Sequence, residues 1–308
     1  MPVAEPHTGA TADAEPQAER VLLIVADISG YTKFMLASRL AMVHGQQVIT
    51  ALIEALIHEI EIPLELKEIE GDAVFLYARR PADDAAWREV RDQVGEKLLR
   101  FFEVFCAALV KESEGTICPC GICEHLPELS LKVVVHSGEA LFHKIDRFTD
   151  VSGVDVILVH RLLKNSVEGD EYILMTEQAH REIPLPAELP VEKSSEEYEG
   201  FGSVPIYVHR LGESFETCRE RFLQGTPAEI LGVTMTAGVR DIAGQFKTLC
   251  RPGERANCRK LPEVRDGVLP FLWTAFQLLL VTPVQLVLMP FVSSARALLG
   301  RRRRLAAS

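Results

Sequence analysis

The sequence predicts an α+β protein: a ferredoxin-like split βαβ domain, with helices packed on a mixed or antiparallel sheet, followed by a hydrophobic C-terminal segment. Three observations point there. Residues 21–26 are an unbroken apolar run that reads as a strand buried on both faces. The segments behind it follow in the order strand, helix, hairpin, helix, strand, which is the split βαβ arrangement. Far downstream, residues 271–292 hold 22 uncharged, mostly apolar positions, long enough to meet a bilayer.

The first strand ends on Asp27, and Ser29-Gly30 precede the next apolar-periodic segment. A carboxylate at the end of a buried strand is costly unless positive charge sits beside it. A divalent cation would supply that charge, and the backbone amides from Ile28 to Thr32 would then face an anion such as phosphate. The competing reading is an ordinary strand end in which Asp27 caps the next helix. Residues 45–60 carry Val48, Ile49, Leu52, Ile53, Leu56, Ile57 and Ile60 at three- and four-residue steps, an amphipathic helix that Pro63 ends. Residues 64–70 alternate apolar with charged, Gly71-Asp72 turns, and 73–77 run apolar: a β-hairpin with an acid at its tip.

A long helix over 87–111 follows from the spacing of Val90, Val94, Leu98, Phe101, Phe102, Phe105 and Leu109. Residues 129–136 and 139–145 read as a second hairpin about Ser137-Gly138. A helix over 154–163, a short strand at 172–175, a helical turn at 177–182, a Pro- and Glu-rich loop at 184–199 and a last strand at 204–211 complete the domain. In this topology the first strand and the first hairpin lie side by side, bringing Asp27 and Asp72 to one end of the sheet. Two acids so placed can share a pair of divalent ions, an arrangement suited to phosphoryl or nucleotidyl transfer.

With 308 residues, 47% of them hydrophobic, the chain can bury one large domain with appendages. A net charge of −11 argues against nucleic acid as a partner, which needs a basic footprint. Residues 1–19 lack the apolar core of a secretory signal and read as a disordered leader. Of seven cysteines, Cys118, Cys120 and Cys123 crowd together with His125 just beyond, which suggests metal or thiol chemistry rather than a disulfide framework. Zinc takes four nitrogen or sulfur ligands in a tetrahedron, but Cys118 and Cys120 are too close for all four to chelate one ion easily. A fourth ligand from elsewhere, a reactive thiol site and a metal-free loop are the alternatives. Cys250 and Cys258 match no zinc pattern alone, and His44, His58, His136, His160 and His209 sit in helix or strand patterns that suit packing.

Asp27-Ile-Ser-Gly-Tyr-Thr, Glu70-Gly-Asp72-Ala, Val135-His-Ser-Gly138 and Gly153-Val-Asp-Val-Ile-Leu-Val-His-Arg161-Leu together resemble a class III nucleotidyl (adenylate or guanylate) cyclase domain over residues 20–211. The chain is similar in particular to a divergent cyclase-homology group of unknown function with a Cys-rich insert, here 115–127. The resemblance implies two magnesium or manganese ions on Asp27 and Asp72, with the Ile28 carbonyl helping to hold one. The amides of Ser29, Gly30, Tyr31 and Thr32 would meet the triphosphate of a nucleoside triphosphate. The 3′-hydroxyl would attack the α-phosphate and release pyrophosphate, in a site formed between two subunits of a homodimer. Asp150 stands where a purine-facing acid belongs, and Arg161 where a cation stabilises charge at the phosphate. Other positions depart from the pattern. Glu68 stands where a purine-reading lysine belongs, with Lys67 one residue away and expected on the opposite face of its strand. Ile157 replaces a transition-state asparagine, and Phe201 a triphosphate-gripping lysine.

Between 268 and 299 only Arg296 is charged, and four arginines follow at 301–304. Pro283 divides the run, leaving a kinked span or a re-entrant hairpin; the hairpin keeps the domain and the arginines together on the cytoplasmic face, near anionic lipid. The expected organisation is a leader (1–19), cyclase-like domain (20–211), connector (212–267), membrane-attachment segment (268–300) and basic tail (301–308). Two functional classes follow: a membrane-attached cyclase-like protein binding metal and nucleoside triphosphate with residual or altered activity, or a non-catalytic signalling module whose Cys cluster senses metal or redox state. An active cyclase reading its base through other residues is a third.

Overall fold

The computed structural model describes residues 18–37, 42–115, 122–145, 148–211 and 215–224. Residues 1–17 of the expected leader, Cys118, Cys120, most of the connector, the hydrophobic segment and the basic tail lie outside the described residues, while Ala18 and Glu19, expected in the leader, belong to the first strand, where they pair with Leu141 and Ala140.

Side chains alternate between the faces of a strand, so an unbroken apolar run fits only a strand covered on both. Strand β1 (Ala18–Ser29) meets that condition: Leu22, Ile24, Ala26 and Ile28 enter one core cluster, and Val21, Leu23 and Val25 enter another. The first cluster is closed by Phe34 of α1 (Tyr31–Ala37), Ile49 and Leu52 of α2 (Met42–His58), and Leu98 and Phe101 of α3 (Asp84–Gly115). The second is closed by Leu158, Val159 and Leu162 of α4 (Val154–Leu162).

Both edges of β1 are paired, antiparallel to β3 (Ala73–Arg79) and to β4 (Ser130–Ile145). Strand β2 (Glu65–Glu70) lies outside β3 as the hairpin partner expected from the sequence. Beyond β4 come β6 (Tyr172–Thr176), parallel to it, then β8 (Gly202–Arg210) and β7 (Val191–Tyr198). The sheet order is β2-β3-β1-β4-β6-β8-β7, with β5 (Phe148–Ser152) paired to the far part of β4. Two short helices, α5 (Glu177–Glu182) and α6 (Phe215–Leu223), complete the described elements. Among the described residues no helix is long and apolar enough to cross a membrane.

Three expectations are corrected. Residues 130–145 form one continuous strand instead of turning at Ser137-Gly138, which pair with Leu22 and Val21. Gly138 serves a close approach: a Cβ there would collide with Asp155 Oδ2 of α4. That oxygen accepts the Glu139 N–H at 2.7 Å, and Asp155 Oδ1 lies 3.3 Å from His136 Nε2, so the start of α4 is pinned against β4. The turn falls instead between β4 and β5, where Ile145 pairs with Phe148.

Residues 191–198, expected within a loop, form the edge strand β7. Its side chains are mostly exposed, so no apolar alternation marks it; the exception is Glu196, buried where it accepts the Ser166 N–H and Oγ–H at 2.9 and 2.7 Å. Finally, α6 lies where no element was expected, and its Cys218 is disulfide-bonded to Cys106 of α3, with Cα atoms 6.2 Å apart.

Gly138→Ala is expected to lower stability by about 1–3 kcal/mol, because the new methyl must displace a hydrogen-bonded carboxylate. In urea unfolding, adding Asp155→Ala should recover part of that loss; strictly additive effects would show that the two positions do not touch.

Candidate functional site

The sheet register sets a row of side chains across one end of the fold. Glu70 pairs with Ala73, Ala73 with Asp27, Asp27 with Lys132, and Lys132 with Tyr172. Lys132 Nζ lies 2.8 Å from Asp27 Oδ2, with both side chains about four-fifths buried (20% and 16% exposed). The two-residue turn Gly71-Asp72 closes the β2–β3 hairpin, and the Ile28 N–H donates to the Asp72 carbonyl at 3.3 Å. Asp27 and Asp72, 45 positions apart in the sequence, are thus brought to one end of neighbouring strands. Burial pushes the Asp72 carboxyl up to about 6, helped by the charge of Asp27 and opposed by a backbone hydrogen bond and by Lys132.

A divalent cation fits this donor set. Two carboxylates converge, one of them holding its proton almost to neutrality, and oxygen ligands suit magnesium or manganese. Lys132 balances one negative charge of the two. Among the described residues no group of three or more His, Cys, Asp or Glu stands together, so an ion here would complete its shell from backbone, water or a bound phosphate.

Ile28 and Ser29 are buried at the end of β1, and Gly30, Tyr31 and Thr32 carry the chain into the seven-residue α1. Gly30 is required on two counts. Its φ is +82°, and a Cβ would come 2.5 Å from the Glu128 carbonyl oxygen. Lys33 then pairs with Glu128 at 2.7 Å, tying this turn to the segment before β4.

A second group of charges lies along β2 and β5. The register between β2 and β3 shifts at Lys67: Leu66 opposes Leu76 while Glu68 opposes Phe75, leaving Lys67 as the extra residue of a β-bulge. The bulge overturns the expectation that Lys67 points away, because its Nζ lies 3.0 Å from Asp150 Oδ1. That hydrogen bond holds the Asp150 carboxyl below the usual range and raises Lys67. His143, paired with Asp150 across the β4–β5 hairpin, brings Nε2 to 3.8 Å from Asp150 Oδ2. On α4, Arg161 and Ile157 are exposed one turn apart, Ile157 at 53%. Phe201 packs against the second core cluster, so its side chain serves the fold.

Of the Cys cluster, Cys118 and Cys120 lie outside the described residues and Cys123 is the second residue of the 3-10 turn Ile122–Glu128. His125 pairs with Glu128 at 3.0 Å, not with a metal-ligand group among the described residues. Of the histidines expected to pack, His136 bonds Thr176 at 2.9 Å, His160 meets the Phe75 ring edge-on and His209 is buried beside His180, whereas His58 is exposed. Lys132 and His143 had been overlooked; the Leu-Lys-Val run and the partner of Asp150 acquire meaning only through cross-strand neighbours.

Residues 49–172 match a family model described as "Protein of unknown function (DUF2652)". An uncharacterized Mycobacterium tuberculosis protein, Rv2561/Rv2562, is 29% identical over 162 residues, 49% of this chain and 68% of that protein. Among solved structures, the adenylyl cyclase CyaB from P. aeruginosa superposes with a TM-score of 0.51 at 15% identity, covering 65% of this chain and 98% of that one. Adenylate cyclase from Trypanosoma brucei gives a TM-score of 0.41 at 18% identity over 64% of this chain and 92% of that one. The CyaB superposition establishes a cyclase-like fold for the described domain.

Because Asp72 holds a proton more tightly folded than unfolded, its ionisation weakens the metal-free protein as pH rises from about 4 to about 6. Asp72→Asn should therefore raise stability at pH 7.5 by about 1–2 kcal/mol after discounting for solvent screening, with the gain fading towards pH 4. Thermal melts across that range check it, and an equal effect at both ends would exclude the carboxyl as the cause.

Proposed function

We propose that this domain holds a divalent metal ion with a nucleoside triphosphate between two copies of the chain. Asp27 and Asp72 of one copy are the metal ligands, and Lys67 and Asp150 of the other read the purine edge. The observation that carries this reading is the convergence of Asp27 and Asp72 with an excess of negative charge at one sheet end. The bound ion would neutralise that charge and polarise the phosphates. Lys132, relieved of its role towards Asp27, faces the same anion, and the turn from Ser29 to Thr32 offers amides to it. Lys67 and Asp150 place a donor and an acceptor side by side, which matches the adjacent acceptor and donor of a purine. Arg161, exposed on α4, stabilises charge on the phosphate.

Turnover on this reading is intramolecular nucleotidyl transfer: the ribose 3′-oxygen bonds to the α-phosphorus and pyrophosphate leaves. Ile157 and Phe201 supply neither an amide nor a cation. The loss of one such donor typically costs about 10²–10³ in rate, so the expected activity is weak. The same two residues favour a second reading, in which the fold binds nucleotide and signals without turnover. Membrane attachment through residues 268–300, on the cytoplasmic face, belongs to the proposal, as does zinc at Cys118, Cys120, Cys123 and His125.

The full-length protein with manganese and ATP or GTP should bind nucleotide, and Asp27→Ala or Asp72→Ala should abolish binding. Lys67→Ala should weaken it by about 10–100-fold, the worth of a charged hydrogen bond. A wild-type protein that binds neither nucleotide ends this reading, whereas binding without cyclic product selects the signalling module. Mixing Asp27→Ala with Lys67→Ala chains should restore a fraction of the sites if these come from different subunits. A chain ending at residue 265 should leave the membrane fraction; one that stays bound places the anchor elsewhere.

A further inference from the structure

The Cys106–Cys218 bond involves none of the residues of the proposed nucleotide site. It joins α3 to α6 within a third apolar cluster, made of Cys106, Val110 and Cys218 with Phe222 packed against it, separate from the two clusters that flank the sheet. Phe101, Phe105 and Leu109 turn one side of α3 into the first core, while Cys106 and Val110, four residues apart, present another side to α6.

A helix of nine residues is too short to persist in water by itself. Its order depends on what docks it, and here that is a small cluster with a covalent bond at its centre. The bond also closes a loop of 112 residues that contains β4 through β8, including Asp150 and Arg161. Cys106 and Cys218 are both buried, 8% and 7% exposed, so a reagent reaches the sulfurs only when α6 lifts from α3.

From this geometry we propose that Cys106–Cys218 is a redox modification site taking a protein or small-molecule dithiol as co-reactant. Its state decides whether α6 is clamped to α3. One thiolate of the dithiol attacks a sulfur of the pair, forming a mixed disulfide and releasing the other cysteine as a thiolate, which takes up a proton. The second thiol of the reagent then displaces the remaining cysteine. Two electrons and two protons pass to Cys106 and Cys218, and the reagent leaves as its disulfide; the reverse exchange with a disulfide-bearing partner restores the bond. Release frees α6 from α3, so the latch couples thiol state to the docking of α6 on the cyclase-like domain.

The test uses the full-length protein, alkylated without reductant and then treated with dithiothreitol. Peptide mapping should recover Cys106 and Cys218 as one cross-linked species before reduction. After reduction, amide exchange over residues 215–224 should accelerate by about tenfold or more while β1 keeps its protection. Cys218→Ser should show the fast exchange from the outset and no response to dithiothreitol. Free thiols at both positions in air-exposed protein would overturn the proposal. So would unchanged exchange at α6 on reduction, or an equal loss of protection in β1, which would make the bond a staple of the whole fold. The wild-type measurement decides the matter even if the variant fails to fold.

Discussion

The hydrogen bonding of β1 along both of its edges is the constraint on which the site depends. With β3 on one side and β4 on the other, Asp27 has only one position available to it, between the Asp72 hairpin and Lys132. Slippage by one residue would turn every side chain of β1 to the opposite face. It would carry Asp27 into the apolar core under α2 and α3, where an unpaired charge is costly, and would set the apolar side chains of each face against a core packed for the other set. The core thus enforces the placement of a charge that it does not itself contain.

The two charge groups this frame supports differ in balance. Lys67 and Asp150 form a neutral pair in which the lysine side chain is largely buried (15% exposed) and the carboxylate is open to water (40% exposed). Such a pair can exchange its internal hydrogen bond for two to a ligand at small cost. Asp27, Asp72 and Lys132 carry one negative charge too many when all are ionised, and Asp72 answers by keeping its proton to about pH 6. One group is therefore electrically balanced, and the other is left with an excess of negative charge.

Helix α4 joins the second core cluster to the exposed charged face. Its inner side, Leu158, Val159 and Leu162, is core; its outer side presents Ile157 and Arg161. What sets its position is polar: Asp155 fastened to the Glu139 amide and beside His136, over a strand glycine where a Cβ would meet that carboxylate. An apolar helix face alone would tolerate sliding, whereas a carboxylate bound to one amide does not.

Periodicity by itself determined most of this protein's framework. The run from Val21 to Ala26 announced a central strand, the spacing from Val90 to Leu109 a long helix, and Gly71-Asp72 a hairpin tip, because each depends on neighbours within a few residues. The approach of Asp27 to Asp72 was legible as well, since it follows from topology. Tertiary structure decided the rest. Whether Lys67 meets Asp150 depends on a single inserted residue in β2, and whether Ser137-Gly138 turns or continues depends on β1 and Asp155. Strand β7 exists because β8 offers it an edge, and Cys106 meets Cys218 across 112 residues. In every such case the deciding partner lies across a strand or a helix rather than along the chain, and local pattern carries no record of it.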